Sequence, residues 1–549
     1  MELKPTTRLR PAALALGMAG LLASINAEAV RVSRDGTGQV LLYPYYTTRS
    51  GFATSISVMN HDFDHTKAVK VRWREARIGA PVLDLNVYLS PRDVWVGVIS
   101  DNGTHARLTT TDRSCTDPQV PSAGLPFVNS YYTGQVAGTF DDRGGSGLDR
   151  TREGYVEIIE MGVVANGSDF ESSPATPAGN AVATAVKHNA AGVPANCAVV
   201  RVAGLFGVAG DLRMPVGGLS GQAIIVNSAT GTEFALSPTP LQQFFRPGDK
   251  TADLYSAPGS LLPDLTSVNP ARSDVVLSES DYSQPLMITV PDWVAAGGKP
   301  IDAVSAVLMT VEVRGQYDVN PGIKTDLVAT MPTKRYYVLP ESLPSAAQYA
   351  AAGPFREAFL HADTQAGSVE SISCDAHFPF ASDRENAPYA IPVGSPPFPL
   401  PVPPIPRFCY ATSVVTITPN AADGASASVF GSRATHTLTL GVNGNAGAAP
   451  QYTSGWVSLA PTRDTVAASP LGPGLNVTSG VNLVTGMPVT QSTYDAAGGL
   501  RNLAPVHTDG VARRYRGLPL IGFTAISAMA FGQGYGGIFP INTGTRTIP

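Results

Sequence analysis

The feature that most constrains this chain is a period-two alternation running through residues 39–95. Ile56 and Val58 alternate with Ser55 and Ser57; Val69, Val71 and Trp73 alternate with Lys70, Arg72 and Arg74. Leu83, Leu85, Val87 and Leu89 then alternate with Asp84, Asn86, Tyr88 and Ser90. Successive side chains of a strand point to opposite faces, so each run offers one face to a core and one to water. Parallel strands, covered on both faces, read instead as continuous apolar runs. The block therefore predicts half-buried antiparallel sheet, with Lys70, Arg72 and Arg74 in solvent.

The rest of the chain fits that reading. With 55 Gly, 46 Pro, 15% charged and 43% hydrophobic residues, it is globular but rich in breakers, which favours short strands over long helices. The fold class expected is mainly β, with antiparallel β-sandwich (Ig-like) domains and one or two packed helices. The clearest helix signal is residues 299–314, where Pro300 suits a first turn and Ala303, Val304, Val307, Leu308 and Val311 share a face ahead of Gly315. A second, Ala-rich helix is expected in residues 344–360, and a strand broken by Pro332 in residues 327–338, with Lys334 and Arg335 solvated. Residues 165–194 read as an exposed loop, 240–245 as a short helical turn and 532–537 as a flexible glycine-rich segment.

Residues 1–29 read as a signal peptide. Lys4, Arg8 and Arg10 precede an apolar run over 12–23, and Ala27-Glu28-Ala29 supplies a small-residue cleavage site. The apolar run is short for the roughly 20 residues of a spanning helix, and residues 518–531 are interrupted by Pro519 and Gly522, so no transmembrane segment is expected after removal of the signal. The domain division expected is 30–165, an N-terminal β-sandwich; 166–390, a central β-rich domain with the helix near 301–314; 391–408, a Pro-rich segment; and 409–549, a C-terminal β-rich region that stands alone or completes an earlier domain.

Export makes disulfides the default state of the four cysteines. Of three connectivities, Cys115-Cys197 and Cys374-Cys409 keep each pair within one region. None of the four has the close spacing of a zinc or redox motif. The second bridge would close across the Pro-rich segment and turn it from a swinging polyproline linker into a stapled excursion.

Candidate sites are few. His61, Asp62, Asp64 and His65 resemble a metal-binding cluster, but they link two strands, and a hairpin tip is the competing reading. Residues 141–154 lack the spacing of a calcium loop. Glu157 and Glu160, an odd number apart in one strand, face opposite sides and make a poor acid/base pair. The glycines of residues 217–221 are not those of a nucleophile elbow. No catalytic residue and no cofactor is expected from spacing. Tyr43, Tyr45 and Tyr46 flank Pro44, which cannot donate to a ladder. They are expected on an edge strand open to a partner, with packing at a sandwich end or a sugar-binding surface as other readings.

Several motifs occur together: residues 41–47 (LLYPYYT), 89–95 (LSPRDVW), 152–162 (REGYVEIIEMG), 330–338 (TMPTKRYYV) and 518–523 (LPLIGF). In this order they resemble a family of secreted or cell-surface proteins of Gram-negative bacteria. The resemblance spans nearly the whole mature chain and implies an exported, surface-associated protein; it brings no active site with it.

A net charge of -5 with no basic run argues against nucleic acid as a partner. The function expected is an exported cell-surface structural, adhesive or filament-forming protein without catalytic activity, associating with itself or with other surface proteins. The alternative is an extracellular polysaccharide-binding or polysaccharide-degrading protein with a glycan partner.

Overall fold

The computed structural model describes residues 29–142, 144–167, 175–207, 210–245 and 254–277 and most of 286–339. Further on it describes 354–355, 373–385, 407–419, 427–440, 453–460, 517–530 and 533–544, with a few short strands besides. The expected second helix (344–360) and the Pro-rich run up to residue 406 lie largely outside the described residues.

The architecture is mainly β and built from antiparallel sheets. Sheet I has eight strands, running from Arg31–Val32 through Thr239–Gln242, Val40–Thr47, Glu153–Val164, Lys67–Glu75 and Pro81–Leu89 to Cys115–Asp117, with Leu212–Arg213 also on Glu153–Val164. Sheet II has six, ordered Thr232–Leu236, Leu219–Asn227, Ala53–Asn60, Val94–Asp101, Ala106–Thr109 and Leu125–Pro126. Strands from both sides of residue 165 thus share these two sheets. They pack face to face over Ile56, Val58, Val71, Trp73, Leu85, Val87, Trp95 and Ile158, all fully buried. The Trp73 and Trp95 rings meet edge-on at 6.4 Å.

Two five-stranded sheets form a second sandwich. Sheet III is ordered Pro388–Tyr389, Phe378–Asp383, Ser454–Ala460, Glu312–Asp318 and Asn542–Gly544. Sheet IV is ordered Thr435–Thr439, Thr412–Thr418, Ile323–Thr330, Ile521–Ala530 and Gln533–Pro540. One pairing here, Thr412–Thr418 with Thr435–Thr439, is parallel. The two sandwiches share one apolar core: Tyr45 of sheet I packs on Phe430 at 5.2 Å and on Phe523 of sheet IV at 6.4 Å.

The outer face of sheet II behaves as its alternation predicts, with Ala53–Asn60 alternating between partly exposed and buried positions. Sheet I does not. Every residue of Lys67–Glu75 and Glu153–Val164 is buried. Lys70, Arg72 and Arg74, expected in water, lie under residues 254–263 and 335–338. Lys70 Nζ donates to Ser256 O and Ala257 O, and Arg72 to Ser260 O and Pro263 O. Arg74 pairs with Glu157 at 2.7 Å and donates to the Tyr336 hydroxyl at 3.0 Å. These cations are satisfied by carbonyls and carboxylates, as buried charges must be.

Other expectations are corrected by long-range pairing. The 299–314 helix starts at Pro300 but ends at Leu308, because Glu312–Asp318 is drawn into sheet III against Ser454–Ala460. The strand expected through Pro332 stops at Thr330, and Arg335–Val338 is helical. Lys334 is fully buried: it pairs with Asp375 at 2.9 Å and donates to Ser373 O and Phe408 O. Within residues 165–194, Pro177–Val186 forms a helix capped by Thr176, whose Val182 and Val186 pack against Met161 and Val164. Residues 239–242 are strand, not helical turn. The glycine-rich Gln533–Pro540 is strand as well; Cβ atoms at Gly534 and Gly536 would collide with Thr232 and the Glu233 carbonyl of the adjoining sheet II edge.

Candidate functional site

Two concavities among the described residues differ in their chemistry. The first, about 260 Å³, lies where residues 432–434 meet sheet I, and holds Arg49, Glu75, Arg77, Asp149, Arg150, Glu153 and Arg433. Three of its four arginines are paired with carboxylates. Arg49 pairs with Glu153 at 2.6 Å and Asp149 at 3.0 Å; Arg150 pairs with Asp142 at 2.7 Å and Glu75 at 3.1 Å; Arg433 pairs with Asp149 at 2.8 Å. Glu153 also accepts from the Tyr45 and Ser432 hydroxyls and from Arg433 N. Through Arg433 and Ser432, which bond Asp149 and Glu153, this set fastens the two sandwiches together.

The second is a cleft of about 600 Å³ at the end of the second sandwich. Gln316, Tyr317 and Asp318 come from one strand of sheet III, Gly455 and Trp456 from its neighbour, and Asp383 and Arg384 from the end of the next. Ile526 and Phe539 close it from sheet IV. The register sets Gln316 and Ser382 directly beside Trp456, on its two sides. Gly455 is required there, since a Cβ would lie 1.9 Å from Ser382 O. Trp456 and Phe539 are each half-buried, and Phe380 supports the indole at a ring distance of 5.3 Å. Asp318 is fixed: it accepts from Asn320 N and Nδ2 and pairs with the largely exposed Arg384 at 3.1 Å.

Apolar ring faces beside ionised and amide groups can stack on a flat apolar surface while bonding to hydroxyls around its rim. None of these residues belongs to a motif that the sequence singles out. The carboxylates and the indole converge from segments about 70 residues apart in the chain, which no local spacing could reveal.

The sequence-derived candidates lie elsewhere. Tyr43, Tyr45 and Tyr46 are not open to a partner: Val40–Thr47 pairs with Glu153–Val164 along one side, Thr239–Gln242 pairs only with Val40, Leu41 and Leu42 on the other, and all three tyrosines are fully buried. Tyr43 donates to Ser57 O, Tyr45 to Glu153 and Tyr46 to Thr151 O. His61, Asp62, Asp64 and His65 do form the connection between two strands. Asp62 accepts from Asp64 N, His65 N and His65 Nδ1, while His61 Nε2 turns away to Ser220 Oγ at 2.6 Å. No carboxylate bonds the other His61 ring nitrogen among the described residues, so the Ser220–His61 contact lacks the group that orients a catalytic dyad. Among the described residues, no three His, Cys, Asp or Glu side chains converge as a metal site. Glu157 and Glu160 face different partners, Arg74 and Lys67.

Both disulfides join the cysteines paired by proximity in sequence, Cys115 with Cys197 and Cys374 with Cys409. The second brackets the Pro-rich segment. No described helix is long and apolar enough to cross a membrane, which leaves strands out of account.

The recognisable motifs converge on the frame. Residues 41–47 and 152–162 are neighbouring strands of sheet I, Tyr336 of the 330–338 motif bonds Arg74, and Thr330 Oγ1 donates to Pro44 O. Compared with family models, with curated proteins and with solved structures, the chain matches none.

Proposed function

We propose that this chain is an exported cell-surface protein that acts by binding rather than by catalysis, and that the Trp456 cleft takes a glycan. The leader-like start, the motifs that resemble those of secreted surface proteins and two disulfides support the location. The observation that carries the ligand is the half-buried indole of Trp456, backed by Phe380 and flanked by Gln316, Asp318 and Arg384. A sugar ring has an apolar face to lay on the indole and equatorial hydroxyls to reach these polar groups. Filament growth through the Tyr43–Tyr46 strand loses its support, because all three tyrosines are fully buried and Thr330 covers Pro44 O on the side that Glu153–Val164 leaves free.

The test is a glycan array followed by titration of the intrinsic tryptophan fluorescence. The reading expects saturable binding of a sugar class, with affinity lowered at least tenfold in W456A and the folded state unchanged. Binding untouched by W456A, or no glycan binding at all, overturns it; turnover of a bound polysaccharide overturns the non-catalytic part.

A further inference from the structure

A row of three side chains crosses the covered face of sheet I. Lys70 lies directly opposite Asn86 on the adjoining strand, and Asn86 directly opposite Asp117 on the next. Opposed residues share a face at close range. Lys70 and Asn86 are fully buried beneath residues 254–263. Both side-chain nitrogens reach the same atom: Lys70 Nζ is 3.2 Å and Asn86 Nδ2 2.9 Å from Ser256 O. Asn86 Oδ1 is buried and accepts no hydrogen bond among the described residues.

We propose that Lys70 and Asn86 condense in the folded protein into an intramolecular isopeptide cross-link, with Asp117 carrying the proton. The Lys70 Nζ lone pair attacks Asn86 Cγ and forms the C–N bond. Asp117 protonates the oxygen that becomes negative, moves the proton lost by Nζ to Nδ2, and takes back the oxygen's proton as the carbonyl reforms. The Cγ–Nδ2 bond breaks and one ammonia leaves, so the products are a secondary amide and NH3, with no oxidant, reductant or other reactant consumed.

The surroundings favour each part. Burial lowers the Lys70 pKa to about 8, so a usable fraction of the amine is the neutral nucleophile at neutral pH. Burial likewise raises the Asp117 carboxyl, which favours the protonated form that donates to an oxyanion. Exclusion of water suppresses competing hydrolysis of the amide. The product fits the same site, since its single N–H can keep the bond to Ser256 O. The neighbouring Tyr88 and Tyr255 hydroxyls, 2.9 Å apart, wall the row on one side.

The inference is independent of the glycan reading. The full chain, denatured and reduced, is weighed by intact-mass spectrometry and then mapped by tandem spectrometry after proteolysis. The expected result is a mass short by one ammonia, with residues 70 and 86 in one branched peptide. K70R and N86A restore the full mass. D117A keeps both reactive side chains and slows the loss of ammonia at least tenfold. A wild-type chain of full mass, with Lys70 and Asn86 recovered in separate unmodified peptides, overturns the cross-link. A D117A chain that links as fast as wild type overturns the role of Asp117.

Discussion

The Lys67 ammonium and the Glu160 carboxylate stand 2.9 Å apart with neither side chain exposed to solvent. Glu160 also accepts from Val216 N and Gly217 N, so the pair ties a central strand of sheet I to the turn that leads into sheet II. Removing one partner strands a buried charge. E160Q is expected to lower stability by about 3–5 kcal/mol, while K67M/E160L, which removes both charges, costs far less. Urea denaturation of the two variants measures this, and equal losses would show that the charge itself is not at issue.

Asp326 is fully buried and accepts from the Thr416 and Ser428 hydroxyls and from Val429 N and Phe430 N. Burial outweighs those donors and raises its pKa from 3.8 to about 6. A carboxyl raised on folding contributes stability that is fully present below its unfolded value and lost as pH rises through the folded one. Between about pH 4 and 6 the wild type should therefore lose on the order of 3 kcal/mol relative to D326N. Parallel stability curves for the two proteins across that window would refute the shift.

The aromatic ring of Phe430 touches Tyr45, Phe52 and Phe234 of the first sandwich and Phe523 of the second, at 5.2 to 6.2 Å. Truncating it opens a cavity between the sandwiches. F430A is expected to cost about 3–5 kcal/mol and to split one thermal transition into two. A single transition shifted by less than a degree would argue that the two halves are held by the Glu153 ion cluster alone.

The Cys115–Cys197 bridge closes 82 residues of chain and anchors the short edge strand Cys115–Asp117. Loop entropy alone makes it worth about 4 kcal/mol. C115S/C197S should show that loss at equilibrium, and reductant should shift wild type by about that much more than it shifts the variant, which keeps only the Cys374–Cys409 bridge. Reductant-insensitive wild type would indicate that the bridge does not form.

The core side of the alternation is right: Val69, Val71 and Trp73 are buried between the first two sheets. The cysteine pairing follows from proximity, and Pro300 opens its helix. These readings rest on local rules, the two-residue repeat of a strand and the fixed φ of proline, which act wherever the chain goes. The candidate cleft was not legible, because Trp456, Asp318 and Arg384 become neighbours only when three distant strands pair.

What tertiary structure alone decided is the fate of the other face. The same alternation that sends Trp73 inward sends Lys70, Arg72 and Arg74 outward, and the sequence of that segment carries no sign of what will cover them. For Lys70 and Arg72 the cover comes from residues 254–263, nearly two hundred positions further on, whose carbonyls replace water around the cations, and for Arg74 from Tyr336. In the same way Thr330, Phe430 and Phe523, hundreds of positions further on, cover the tyrosine strand that the sequence leaves open. Alternation fixes which side chains share a face; whether that face meets water depends on contacts between segments far apart in the chain, whose loop-closure cost only the complete fold repays.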